Sequence, residues 1–265
     1  MTLFFLSACT SIRNQDNQEA SRMSADSLAQ APDSAAKTLK VYTLPAPLQV
    51  ATAVRSCDLP YTDRMLVPTN KSVVNYPTNY LKALNLGVSG IDMGYATIYE
   101  QKQTALYYLS RIQKLTEELG IAGTFNVSTV RRFKENISNQ DSLYFIILQS
   151  FNDLHKYLHE NDRTSMGLLV LTGSFVEGLY LSSSFARNSK DERMMNLVGQ
   201  QKVFLGNLVE LLQNQKDQKE IAELMNQLKD LQKSFSKGTD TPKISGEQAA
   251  EIATKITAIR SKIVS

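Results

Sequence analysis

The sequence predicts an all-α protein of about eight helices, in a bundle or as stacked helical hairpins, behind a disordered N-terminal tether. Three observations carry this expectation. Beyond residue 77, apolar residues recur mainly at spacings of three and four, the period of one helical face. No stretch keeps the period-two alternation that a half-buried strand requires. Residues 80–99 and 164–187 are apolar on nearly every side, which a helix tolerates only inside a core. The composition agrees, with 42% of 265 residues hydrophobic and 21% charged, a globular profile with ample core. Although the net charge is +3, Lys and Arg are dispersed along the chain. No basic stripe with interleaved aromatics forms, so no nucleic-acid partner is expected.

The chain opens MTLFFLSACTS, a short apolar run closed by Leu6-Ser7-Ala8-Cys9. These four residues resemble the lipobox of a bacterial lipoprotein signal. The resemblance implies that Cys9 becomes the first mature residue and carries acyl chains such as palmitate. Residues 1–8 are then the remainder of a signal peptide. Such a peptide begins with a positive segment, yet no Lys or Arg precedes this run, so the true start codon is expected upstream. Residues 10–40 are mostly Ser, Asn, Gln, Asp, Ala and Lys. That composition cannot bury enough apolar surface to offset chain entropy, so residues 9–40 read as a lipid-anchored flexible tether. Residues 41–265 read as a single all-helical domain. Elsewhere no run of about 18 apolar residues lacks charge, and this domain is expected to be soluble. Cys9 and Cys57, the two cysteines, are too few for a disulfide framework and lie in unlike contexts.

Prolines 45, 47, 60 and 68 punctuate the lead-in around a short helix over residues 48–56. Pro47 suits its first turn. Cys57, at the helix end with no neighbouring His, reads as a small packed hydrophobe rather than a nucleophile.

The first long helix is expected near Pro77-Thr78. Steps of about 100° place Tyr80, Leu84, Val88, Ile91, Tyr95 and Ile98 on one face, Leu86 and Met93 opposite, and Lys82, Asn85, Ser89 and Asp92 in a narrow polar stripe. Gly87, Gly90 and Gly94 share another flank. Each should cost about 1 kcal/mol against Ala unless a second helix uses the missing side chain. Lys82 and Asp92 argue against a membrane dimer motif, and the glycine spacing is wrong for a dinucleotide loop.

A second helix over residues 102–119 stops at Gly120, with Ala105, Leu109, Ile112 and Leu119 on one side. Asn126 or Ser128 caps a short helix to residue 137. Asp141 is expected to cap the next, with Ile147, Phe151, Leu154 and Leu158 as its apolar stripe. In the helix over residues 164–187, Gly173, Ser174, Glu177 and Ser184 form a small and polar strip. Ser174 and Gly178 repeat the spacing of Gly90 and Gly94 with an acid nearby, which suggests a divergent hairpin repeat about 84 residues long. Helices over 189–213, 217–235 and 245–263 complete the chain, with residues 237–243 as a loop. Ile221, Leu224, Leu228, Leu231 and Phe235, then Ala249, Ile252, Ile256, Ile259 and Ile263, form the stripes of the last two.

LNLG, GYATIY and the following ALYYL resemble one tetratricopeptide unit, in which paired helices pack small residues against aromatics. The NLG…D…YA helix is also similar to helices of uncharacterised lipoproteins of bacterial envelopes. That resemblance implies no activity.

His155 and His159, four apart on a helix, could present two imidazoles to one Zn²⁺, with Asp162, Glu160 or Glu177 as a third ligand. The residue after His155 is Lys156, so the base of a metalloprotease helix is missing. The plainer reading places both rings at the edge of the core as packing groups. Asp92 and Glu177 are single carboxylates on otherwise apolar helices. Buried together they would perturb each other's protonation and do acid–base work or hold a cation; the plainer reading is a hydrogen-bonded polar strip. Tyr95, Tyr99, Tyr107, Tyr108, Tyr144, Tyr157 and Tyr180 either line a ligand groove or belong to core and rim. No Gly-x-Ser-x-Gly elbow, CxxC pair or Walker loop occurs. The expected function is a lipid-anchored binding or scaffold protein of the bacterial cell envelope, at the outer membrane with its folded domain outside the cytoplasm. Its expected partners are the membrane and a protein or small ligand. The alternative is a metal-dependent enzyme using His155 and His159 with a nearby carboxylate; no other cofactor is named by any motif.

Overall fold

Thr78 fixes the start of the helix on which the molecule is built. In the computed structural model it is extended (φ −119°, ψ 152°), and its Oγ1 accepts the Leu81 N–H at 3.2 Å. That bond satisfies one of the orphan donors of a helix N-terminus. The structure describes residues 47–72, 76–189, 191–215, 218–235 and 243–265. The expectations for residues 1–40, Cys9 included, lie outside this range, as does all of the 237–243 loop except Lys243.

Nine α-helices and no strand occur among the described residues: α1 Pro47–Ser56, α2 Asn79–Ile98, α3 Lys102–Glu118, α4 Val127–Glu135, α5 Gln140–Glu160, α6 Thr164–Ser189, α7 Glu192–Gln213, α8 Lys219–Phe235 and α9 Gly246–Val264. Asn126 caps α4 and Asp191 caps α7. Ser245 and Gln248 close a full capping box on α9. For α5 the expected cap is corrected. The helix starts at Gln140, and it is Asn139 whose side chain accepts the Ser142 N–H, at 3.0 Å. Asp141 instead sits exposed in the first turn, where its charge complements the helix dipole. Glu100, Gly120 and Asp162 have φ values of 58°, 68° and 55°; each lies just beyond a helix, where a left-handed residue ends the winding.

The apolar stripes decide the packing. α2 lies against α6 most extensively and also against α3 and α1; α6 packs on α9 and α7, and α8 closes the far side against α7 and α9. Ile147, Phe151, Leu154 and Leu158 of α5, and the full stripes of α8 and α9, are buried. α6 has the length and hydropathy of a membrane span, but 94% of its apolar window is buried among the other helices. Its all-round hydrophobicity is therefore explained by a central position in the fold.

Two glycines set the α2–α6 crossing. A Cβ at Gly173 would lie 1.9 Å from the Leu84 carbonyl oxygen, and one at Gly87 would lie 2.0 Å from the Val170 carbonyl oxygen. The helices thus meet backbone to backbone, and Ser174 Oγ donates to the Gly87 carbonyl at 3.3 Å. Gly90 admits the Phe151 ring edge, whose Cζ would be 2.0 Å from a Cβ. Gly94 is buried within α2. Leu84 meets Gly173, Asp92 meets Glu177, and the Tyr95 and Phe185 rings are 6.3 Å apart. These contacts progress in the same sense along both helices, so α2 and α6 are parallel.

Gly178 differs from the others. A Cβ there would meet only Val50 Cγ2, at 3.4 Å, an ordinary contact. Gly178→Ala is therefore expected to raise the melting temperature by a few degrees, because it removes a helix-interior glycine worth up to about 1 kcal/mol. A fall in melting temperature would show that the α1–α6 contact is tighter than this geometry gives.

Candidate functional site

Among the described residues between α1 and α2 there is no long helix, only a single 3₁₀ turn at Asp63–Met65. Residues 59–72 cross the helices here as a strap. Where such a segment is covered its backbone groups must find partners, and this one finds them on Tyr99, at the end of α2, and on side chains of α2, α3 and α9. Tyr99 donates to the Leu59 carbonyl at 2.6 Å, and Tyr95 accepts the Thr62 N–H at 3.1 Å. Tyr108 donates to the Val67 carbonyl at 2.5 Å, and Tyr107 to the Lys71 carbonyl at 3.0 Å. Arg260 of α9 donates to the Met65 carbonyl at 3.0 Å.

Arg111 of α3, 4% exposed, extends the same pattern. Its guanidinium donates to Ser89 Oγ at 3.0 Å, to the Lys71 carbonyl at 2.9 Å, and to the Tyr76 hydroxyl. Lys71 Nζ in turn donates to the Val264 carbonyl at the end of α9. Asn85 donates to the Ile263 carbonyl at 2.7 Å. Unpaired carbonyls at a helix C-terminus attract donors and positive charge, so Lys71 and Asn85 tie the strap and α2 to the end of α9.

Asp92 and Glu177 lie under the strap, both with 0% exposure. Arg260 grips Glu177 with two bonds, Nε to Oε2 at 2.6 Å and Nη2 to Oε1 at 2.8 Å. Its guanidinium also lies 4.3 Å from the centre of the Tyr180 ring. This is the fork geometry in which Arg and a carboxylate bind most strongly. Asp92 Oδ2 accepts the Val67 N–H at 3.1 Å, while Oδ1 finds no nitrogen or hydroxyl donor. The Glu177 carboxyl is its charged neighbour.

Two neighbouring carboxyl groups shielded from water ionise together only at a large electrostatic cost. Burial, and then the neighbouring Glu177 charge, hold Asp92 well above the usual carboxylate range. Burial also raises Glu177, but the Arg260 charge and its hydrogen bonds pull it back. The proton therefore rests on Asp92, and Glu177 is the ionised partner of Arg260. Chemically, the cluster is a neutral acid, a carboxylate and a guanidinium shielded from water.

The remaining sequence candidates lie apart from this cluster. His155 is half-buried on α5, with its Nδ1 about 3.9 Å from where a Cβ on Gly167 would stand. Burial pushes its imidazole down to about 4, so the ring is neutral at physiological pH. His159 is exposed, Glu160 lies 3.9 Å from Lys156, and Glu177 is held by Arg260. Among the described residues no group of three or more His, Cys, Asp or Glu side chains is placed to hold a metal ion. Cys57 is buried where α1 ends, its Sγ 3.6 Å from Asp191 Oδ1. Burial and the Asp191 charge raise its thiol, which disfavours the reactive thiolate. Tyr95, Tyr99, Tyr107 and Tyr108 hold the strap, and Tyr180 lies against Arg260. Tyr144 lines a separate groove of about 650 Å³ with Thr52, Ala53, Ile98, Gln140 and Phe145.

Sequence reasoning found the two acids and missed both arginines and the strap. A signal was present. Arg111 lies three residues after the buried Tyr108 and four before the buried Leu115. Arg260 lies four after Ile256 and three before Ile263. A cation inside an apolar stripe must be answered by a buried partner.

Compared with known proteins, the chain matches no family model, no curated protein and no solved structure.

Proposed function

We propose that this chain is a lipid-anchored helical binding or scaffold protein of the bacterial cell envelope, held at the outer membrane through Cys9. The observation that carries the reading is the Leu6-Ser7-Ala8-Cys9 sequence at the end of an apolar run, followed by a polar segment to residue 40. A lipidated cysteine followed by a polar leash keeps a folded domain at the bilayer surface without a spanning helix. The binding or scaffold role is supported by how the domain uses its buried ionisable groups. Asp92, Glu177, Arg111 and Arg260 are engaged with one another, with neighbouring side chains or with the strap, an arrangement that gives rigidity to the helices presenting the outer surface.

The test is fractionation of cells producing the full chain from its native locus, with metabolic labelling by a fatty-acid analogue. The wild-type protein is expected in the membrane fraction and labelled, and Cys9→Ala in the soluble fraction and unlabelled. Equal membrane association of the two would remove the anchoring reading.

A further inference from the structure

We propose that Asp92 and Glu177 share a single proton, and that this proton is a latch whose loss lets the strap of residues 59–72 lift from the helices. The geometry sets up the arrangement. Arg260 is already matched one to one by the bidentate Glu177 carboxylate. A second negative charge, on Asp92, would have the Val67 N–H as its hydrogen-bond donor and no guanidinium of its own. The strap shields this pair from water, with Leu66 and Val67 buried over it.

The ionisable groups around the pair do not offer another counter-charge. From α3, Arg111 is directed to Ser89, Tyr76 and the Lys71 carbonyl, and Tyr108 donates to the strap. From α2 and α6 come Tyr95 and Tyr180, whose hydroxyls burial keeps protonated. From α9 comes Arg260. The strap itself contributes Tyr61, also held neutral by burial, Lys71 with its amine on the Val264 carbonyl, and the exposed Asp63 and Arg64; Tyr76, ahead of α2, is likewise held neutral by burial.

Opening is a proton-release step. The Asp92 O–H bond breaks, water takes the proton, and the carboxylate is hydrated once the strap no longer covers it. A hydrated Asp ionises near pH 4. Between that value and the higher one of the closed state, each opening event therefore releases one proton. The opening equilibrium then climbs about tenfold per pH unit and levels off once the closed state is itself deprotonated.

Hydrogen–deuterium exchange on the full chain between about pH 5 and 9 tests this. Base-catalysed exchange of an unfolded amide climbs about tenfold per pH unit. Strap amides, Val67 included, are expected to climb about a hundredfold per unit in the wild type for as long as the closed Asp92 keeps its proton, and about tenfold above that point. In Asp92→Asn, which keeps an acceptor for Val67 and a donor for Glu177 without a titrating proton, they should climb only about tenfold. A slope that is tenfold in the wild type from pH 5 upwards would overturn the proposal. So would an extra slope shared equally by amides of α2, α6 and α9, because the proton would then belong to unfolding of the whole domain. Should Asp92→Asn not fold, the infrared spectrum of the wild type at neutral pH decides: a protonated-carboxyl C=O stretch is expected, and its absence overturns the latch.

Discussion

Arg260→Met is expected to cost about 3–5 kcal/mol at neutral pH, because it leaves the buried Glu177 carboxylate without its counter-charge. For a domain of this size that is a fall in melting temperature on the order of 10 °C. The loss should depend on pH in a defined direction. Without Arg260, both carboxyls have folded-state values above their unfolded ones. Such groups contribute most below the unfolded value, near pH 4, and that contribution is lost as pH rises through the folded values. The deficit relative to wild type should therefore be small in acid and grow towards neutrality. Glu177→Met/Arg260→Met, which removes both ionised partners and leaves Asp92 neutral, should recover most of the loss. Thermal melts of the three proteins across this range check the account. A deficit that does not change with pH, or a double variant as unstable as the single one, would place the cost in lost packing around Tyr180 instead.

Gly173→Ala is expected to be comparably severe for a different reason. Its Cβ would lie 1.9 Å from the Leu84 carbonyl oxygen, within the α2 backbone, which no rotamer change can relieve. The parallel helices must separate, and overpacking of a core costs about 1–3 kcal/mol or more. Separation also lengthens the 3.3 Å Ser174–Gly87 hydrogen bond and shifts Asp92 relative to Glu177. Denaturant unfolding should show the midpoint falling sharply, in contrast to the mild gain expected for Gly178→Ala. Equal behaviour of the two variants would mean that the crossing relaxes easily and that glycine is not required there.

The fold was legible because it follows from local patterns. The stripes of α5, α8 and α9, the turn at Gly120 and the start of α2 near Pro77-Thr78 each depend on a few neighbouring residues, whereas the structure had to choose Asn126 over Ser128 as the cap of α4. The α5 cap was misplaced by two residues, since Asn139 and Asp141 both suit the role and the choice rests on where the preceding turn ends. The acids of the site were visible as single charges on apolar helices. That they meet was not, because Asp92 and Glu177 are 85 residues apart and Arg260 is a further 83.

By itself the sequence determined the helices, their buried faces and the presence of close-packing glycines, all properties of periodicity and side-chain volume along a short stretch. It also supplied the expectation of a lipid anchor at Cys9, which rests on four adjacent residues. Tertiary structure alone decided that α2 and α6 run parallel, that the prolines 60 and 68 lie on a strap over the core, and that one arginine faces two acids. The physical reason is burial. A carboxylate's protonation and the strength of its ion pair depend on which charges and dipoles surround it once water is excluded, and those surroundings are assembled from segments far apart in the chain.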